Sequence, residues 1–456
     1  MFAIGCLLVA APSHADHSSV HATASGDVAT SDNVFSSADD RQVDMFFQVR
    51  PGLLYAYDAP RMIHELSGEV EVLEYLLHST KPSINERASW KAFFTPGPRS
   101  EITLTANGGT GQLNAVSSNT SPEQTTIGVT PLGRIDLRQA DAGEYFSWVT
   151  SKETRASQTG FARWTATEDN AALRTTTEAF EAGGALAFER NFQKNTISLE
   201  AGASVLRLER VSELPPGPMG SRLDRQINPR ASLVWRHDID KLWSTNLDAG
   251  LVYVNPIGKD PYPGHEMESR KAAPFPIFGG LVAYSDVWGR ATVNVRRAVS
   301  PNLLVAQNTL NDSATAQLAL PLPWLDDNPH LRNPKLVGLG SFGVERTQLI
   351  DPTTGTLIGS FQLARADFGV AWTARPGQTY GLRYEFMYQH GDAAARLVTP
   401  SFYRNTLFFT FSLRYPDRTA AQVPRRTQSV RSDRKDLAPV GAEPVVPDPT
   451  EQTPEE

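Results

Sequence analysis

The chain has 456 residues, 40% of them hydrophobic, with a formal net charge of −7 and a mean hydropathy of −0.32. That length holds two or three ordinary domains or one large β-structure. No apolar run of roughly 20 residues follows the N-terminus, which excludes a helical membrane protein though not a membrane barrel, and no basic face marks a nucleic-acid partner.

The first residues, MFAIGCLLVAAPSHADHSS, carry an apolar run from Phe2 to Ala11 and then Ser13-His14-Ala15. An apolar stretch followed by a small-x-small site has the form of a secretory signal, so residues 1–15 are expected to be a signal peptide, although no positive segment precedes the run. The single cysteine, Cys6, lies inside it. The mature chain then has no disulfide framework, no cysteine metal site and no cysteine nucleophile. Residues 16–43 are rich in Ser, Ala, Thr, His and Asp with no apparent periodicity, which predicts a disordered leader.

From residue 44 to residue 415 one behaviour repeats. RASWKAFF sets Ala88, Trp90, Ala92 and Phe94 against Arg87, Ser89 and Lys91. WSTNLDAGLVY sets Trp243, Leu247, Ala249, Leu251 and Tyr253 against Ser244, Asn246 and Asp248. The same alternation recurs in SEITLTAN, ATVNVRRAV, SATAQLAL and ARADFGVAW. Successive strand side chains point to opposite faces, so each segment has one apolar face and one polar face. In QTYGLRYEFMYQHGD, Tyr380, Leu382, Tyr384, Phe386 and Tyr388 oppose Arg383 and Glu385. Short Pro-, Gly-, Asn- or Asp-rich turns at 96–99, 191–195, 238–241 and 375–378 alternate with longer polar stretches at 112–140, 212–228, 255–276 and 391–402.

Tight turns alternating with long loops predict an all-β, up-and-down antiparallel membrane barrel of about 16 strands, within a range of 14–18. On that reading Trp90, Trp243, Tyr253, Trp372, Tyr380, Tyr388 and Tyr415 face lipid or form an interfacial girdle, because aromatic rings on the apolar parity suit the membrane surface. Arg365, Asp367, Arg383, Glu385 and Arg414 take the opposite parity and are expected to face a wet lumen. Exposed charge pairs contribute about 0–1 kcal/mol, so Ser at Arg383 or Glu385 is expected to leave stability nearly unchanged.

The last strand, Asn405-Thr406-Leu407-Phe408-Phe409-Thr410-Phe411-Ser412-Leu413-Arg414-Tyr415, resembles the closing strand of Gram-negative outer-membrane β-barrel proteins. That resemblance implies an outer-membrane location, contact with outer-membrane lipid, and recognition by the barrel-assembly machinery. The family usually ends at the terminal aromatic, whereas here residues 416–456 follow. This tail has a basic block (Arg418, Arg425, Arg426, Arg431, Arg434, Lys435) and then an acidic, proline-rich end. It is expected to be disordered and periplasmic, with anionic periplasmic polymer as a candidate partner.

HExxH, GxSxG and GxxxxGK[ST] motifs are absent. Gly338-Leu339-Gly340-Ser341-Phe342-Gly343 fits GxGxxG formally, but no βαβ unit surrounds it. His390-Gly391-Asp392 has no visible nucleophile partner. No catalytic, metal or cofactor site is expected. Two functions remain: a porin-like passive channel for small polar solutes, or a plugged barrel with a structural, docking or adhesive role acting through its loops and tail.

Overall fold

The computed structural model describes residues 17–34, 41–77, 82–113, 135–167, 175–212, 221–258, 271–286, 289–302, 307–322, 335–350, 355–375, 377–392 and 401–415. The expected signal peptide (1–15) and tail (416–456) lie outside the described residues.

Eighteen strands follow in chain order: β1 (His17–Ser31), β2 (Asp44–Ala59), β3 (Met62–Tyr75), β4 (Ser83–Gly97), β5 (Ser100–Leu113), β6 (Ile135–Val149), β7 (Thr154–Thr167), β8 (Thr175–Phe192) and β9 (Asn195–Ser212). The second half comprises β10 (Arg222–Asp238), β11 (Trp243–Pro256), β12 (Ala273–Asp286), β13 (Gly289–Asn302), β14 (Gln307–Pro321), β15 (Leu336–Ile350), β16 (Leu357–Arg375), β17 (Gln378–Gly391) and β18 (Phe402–Tyr415). Every strand pairs antiparallel with its chain neighbours, and β1 pairs with β18 through Ala22↔Tyr415 to Ser31↔Thr406. The sheet is therefore closed and has no free edge, which an open sheet in a membrane would need to satisfy elsewhere.

The strand at the seam overturns the expected leader. Residues 17–31 are not a disordered lead-in but β1, so the barrel begins at His17 rather than at residue 44. The period-2 pattern is present, with Val20, Ala22, Ala24, Gly26 and Val28 opposing Ser19, His21, Thr23, Ser25 and Asp27. Its outward residues are so small that the contrast between faces is weak. β10 is also longer than expected: it starts at Arg222 inside the stretch read as loop. Its first inward residues, Asp224 and Gln226, are polar and buried, so the strand start looks like a surface segment.

The ends of the barrel differ. One rim carries the connections 60–61, 98–99, 150–153, 193–194, 239–242, 287–288 and 376–377, with the segment 322–335 as the long exception. The other carries 32–43, 76–82, 114–134, 168–174, 213–221, 257–272 and 392–401, together with the shorter 303–306 and 351–356. β1 begins and β18 ends at the short-turn rim. Local chemistry fixes the tight turns. At 239–242 the Asp240 carboxylate accepts from the Leu242 and Trp243 N–H groups at 2.7 and 2.9 Å, and these two bonds hold its pKa below the ordinary carboxylate value. Before β17, Gly377 takes φ 75, which costs a glycine nothing.

Candidate functional site: the lumen wall

Strand parity separates an outer surface from a lumen. Outward-facing Leu53, Leu66, Leu186, Leu199, Phe368 and Phe409 are each at least half exposed, an arrangement suited to lipid rather than water. Aromatic side chains flank this belt at both ends. At the short-turn rim stand Trp243 beside Tyr284 (centroids 4.9 Å) and Trp372 stacked on Tyr380 (5.6 Å). Tyr380 also meets Phe411 (5.2 Å), and Tyr415 is 73% exposed. Tyr253, Tyr388 and Tyr403 are exposed near the long-loop rim. Trp243 and Tyr253 are ten positions apart on β11. At about 3.3 Å per residue and a tilt of about 40°, that separation spans roughly 25 Å of height, the thickness of a barrel's apolar band. Trp90 shares the outward parity but lies mid-strand, stacked on His64 at 6.0 Å.

The inward parity carries most of the charge, although Arg297 on β13 pairs with Asp312 on β14 at 2.5 Å on the outward face. Glu385 on β17 is fully buried and lies between two guanidiniums: Arg365 Nη2 at 2.7 Å from its Oε2 and Arg404 Nη2 at 3.0 Å from its Oε1. Arg365 Nε also donates to Asp367 Oδ2 at 3.0 Å, and Ser341 Oγ donates to the same oxygen at 3.0 Å. Arg383 lies over the Phe408 ring, 4.2 Å from its centroid. Of the five lumen residues expected from sequence, four (Arg365, Asp367, Arg383 and Glu385) thus fall in one region of β16–β18. Arg414 shares the inward parity near the short-turn rim and stands apart from that cluster.

A second cluster continues the wall across the seam. Arg50 on β2 pairs with Asp27 on β1, and its Nε stands 3.3 Å from Glu71 Oε2 on β3. Asn85 Nδ2 donates to Glu71 Oε1 at 2.5 Å, while Arg87 on β4 reaches Glu69 at 3.6 Å and Glu71 at 4.0 Å. Thr406 Oγ1 on β18 bonds Ser31 Oγ on β1 at 3.2 Å, and Phe46, packed at 6.1 Å from Phe408, fills the space between the two clusters. The two clusters together hold five arginines and five carboxylates on seven adjacent strands.

Glu385 corrects one expectation. It is not an exposed charge that Ser can replace at little cost, because its two partners would be left with uncompensated charge in a closed site. Sequence reasoning put Arg87 on the polar face of its strand without naming it a lumen residue, and it missed Asp27, Arg50, Glu71 and Arg404. Asp27 was hidden by the misread leader, and Arg404 stands only two residues beyond a stretch read as loop. For Arg50, Glu71 and Arg87 the signal was the alternation itself.

The lumen tightens toward the long-loop rim. Among the described residues, eleven of the twelve largest fully buried side chains, including Arg210, Arg404, Phe46, Leu206 and Leu208, lie in that half, and His21 is the exception. Val252, Val254, Phe275, Leu310 and Ile350 pack together there from four strands. Asn308 Nδ2 on β14 donates to Gln226 Oε1 on β10, a contact between strands that are not neighbours. In the short-turn half most inward residues remain partly exposed. His390 stacks on Tyr388 at 6.3 Å, whereas Asp392 accepts from Ser360 N at 2.6 Å. Among the described residues, no group of three or more His, Cys, Asp or Glu is placed to hold a metal ion.

A closed antiparallel barrel with an apolar, aromatic-flanked outer belt and a charged interior is an integral membrane β-barrel. No protein-family model and no curated protein sequence matches the chain. Among solved structures it is similar to OpdK of Pseudomonas aeruginosa in complex with vanillate, at 10% identity over 87% of this chain and 99% of that one, with a TM-score of 0.44. It is similar to OccAB3 of Acinetobacter baumannii with the same values. The FrpB iron transporter of Neisseria meningitidis is 8% identical over 81% of this chain and 63% of that one, with a TM-score of 0.46. At such identities the likeness is one of barrel architecture alone.

Proposed function

We propose that the protein is a porin-like passive channel of the Gram-negative outer membrane, admitting small polar solutes. One observation carries this reading: a closed barrel of eighteen strands whose inward face carries two clusters of paired charges across seven adjacent strands. Barrels of 16–18 strands are wide enough to leave an aqueous path, whereas eight-stranded barrels are filled by their own side chains. A wall of paired charges gives passing solutes alternating donors and acceptors without a strong field of either sign. The packed long-loop half sets the narrowest section, so the pore is expected to be tighter than the strand number alone suggests. Location in the outer membrane, assembly by the barrel-assembly machinery and a periplasmic tail belong to the same proposal, supported by the closing strand and by the exit of β18 at the short-turn rim.

Reversal potentials across a salt gradient test the wall. Arg383 is partly exposed in the lumen, and Arg383→Ser should shift selectivity toward cations. Ion flux that keeps its selectivity in this variant would contradict a path running along this wall.

A further inference from the structure

We propose that the outer face of β5–β9 is where a second copy of this chain docks within the membrane. The observation that requires a partner is a polar pair in the middle of the apolar belt. Glu144 on β6 and Gln158 on β7 both point outward and are exposed, and Gln158 Nε2 donates to Glu144 Oε1 at 3.0 Å. Along β6 the outward row reads Trp148, Phe146, Glu144, Ala142, Ala140, so apolar residues bound the carboxylate on both sides. Glu144 is four positions from Trp148. At about 3.3 Å per residue and a tilt of about 40°, it sits roughly 10 Å inside the girdle, well within an apolar band of about 25 Å. Hydrocarbon offers such a group nothing to bond, and ionisable side chains at this depth ordinarily face protein or water.

The surface around the pair is built for close approach. Ala106, Ala142, Gly160, Ala162, Ala182 and Ala203 occupy outward positions on β5–β9, where the opposite side of the barrel presents Phe342, Phe368, Leu382 and Phe409. Gly160 makes room for the carboxylate itself: a Cβ there would stand 2.8 Å from Glu144 Oε1. Small outward residues let two membrane surfaces meet at backbone distance, and polar side chains then join them.

The pair is its own complement. Glu144 Oε2 and the second N–H of the Gln158 amide have no hydrogen-bond partner among the described residues. A two-fold axis along the membrane normal keeps both barrels upright and brings the amide of each copy toward the carboxylate of the other. One acceptor and one donor on each side satisfy both, which selects a second copy over a partner of different chemistry.

The test uses full-length Cys6→Ser protein in native outer membranes, with single cysteines introduced at Ala162 or Ala182 and, on the outward face of β17 across the barrel, at Leu382 as control. Treatment with a short bis-maleimide should give a homodimer, identified by mass, at least tenfold more abundant at positions 162 and 182 than at 382. Only monomer at all three positions, equal dimer at all three, or a conjugate to a different protein would overturn the proposal. In the Ala162→Cys background, Glu144→Leu should lower dimer yield at least tenfold while the barrel stays folded, and Glu144→Gln should retain it. Dimer yield unchanged by Glu144→Leu would also overturn it.

Discussion

Two residues three positions apart on β17 separate the faces of the wall. Phe386 faces lipid between Tyr384 and Tyr388, roughly 5 Å inside the long-loop girdle. Arg at this site is expected to cost more than at the girdle, approaching the value of about 2–4 kcal/mol at the bilayer midplane. The same change at Tyr388, close to the long-loop girdle, should cost only about 0–1 kcal/mol. Reversible unfolding in lipid vesicles measures both, and equal costs would contradict the assigned depths. Arg383 and Glu385 share the inward parity but not the environment. Glu385→Ser strands Arg365 and Arg404 and is expected to destabilise by about 3–5 kcal/mol, the range for breaking a buried pair from one side. Arg383→Ser, at a partly exposed position, should cost much less and act on selectivity instead. A Glu385→Ser protein as stable as the parent would show that the cluster around it is hydrated and loose.

β1 carries the sharpest test among the elements. It lies between β18 and β2 and satisfies both of their edges. Deletion of residues 17–31, with the export signal kept, should leave two free edges and abolish the heat-modifiable gel mobility of a closed barrel. Removal of residues 416–456 should leave that mobility intact, because the strand pattern ends at Tyr415. A compact product from the first deletion would mean that β1 is dispensable for closure. The contrast also shows what was legible in the chain. Strands with large outward residues, such as β11 and β17, could be read with their faces assigned, and the tight turns at 193–194, 239–242 and 376–377 fell where Gly, Pro, Asn and Asp cluster. β1 was not legible because Val, Ala and Gly against Ser, Thr and His give little contrast, and the start of β10 was masked by buried polar residues. The lumen charges were visible one strand at a time. Their assembly into a continuous wall depends on the β18–β1 pairing, which joins residues more than 370 positions apart in the chain.

As a whole the molecule opposes two surfaces across one sheet. The outer surface is largely apolar and aromatic-flanked over about the height of a hydrocarbon layer, while the inner surface gathers paired arginines and carboxylates into two clusters. A barrel of this size whose charged wall stays partly wet in one half and packs tightly in the other should conduct ions through a narrow path with weak selectivity. The most direct measurement is single-channel current from the purified full-length protein in planar bilayers. Discrete conductance steps are expected, with a reversal potential close to zero across a potassium chloride gradient that moves toward cation selectivity in Arg383→Ser. Folded, inserted protein that passes no current would contradict the channel and leave a sealed barrel.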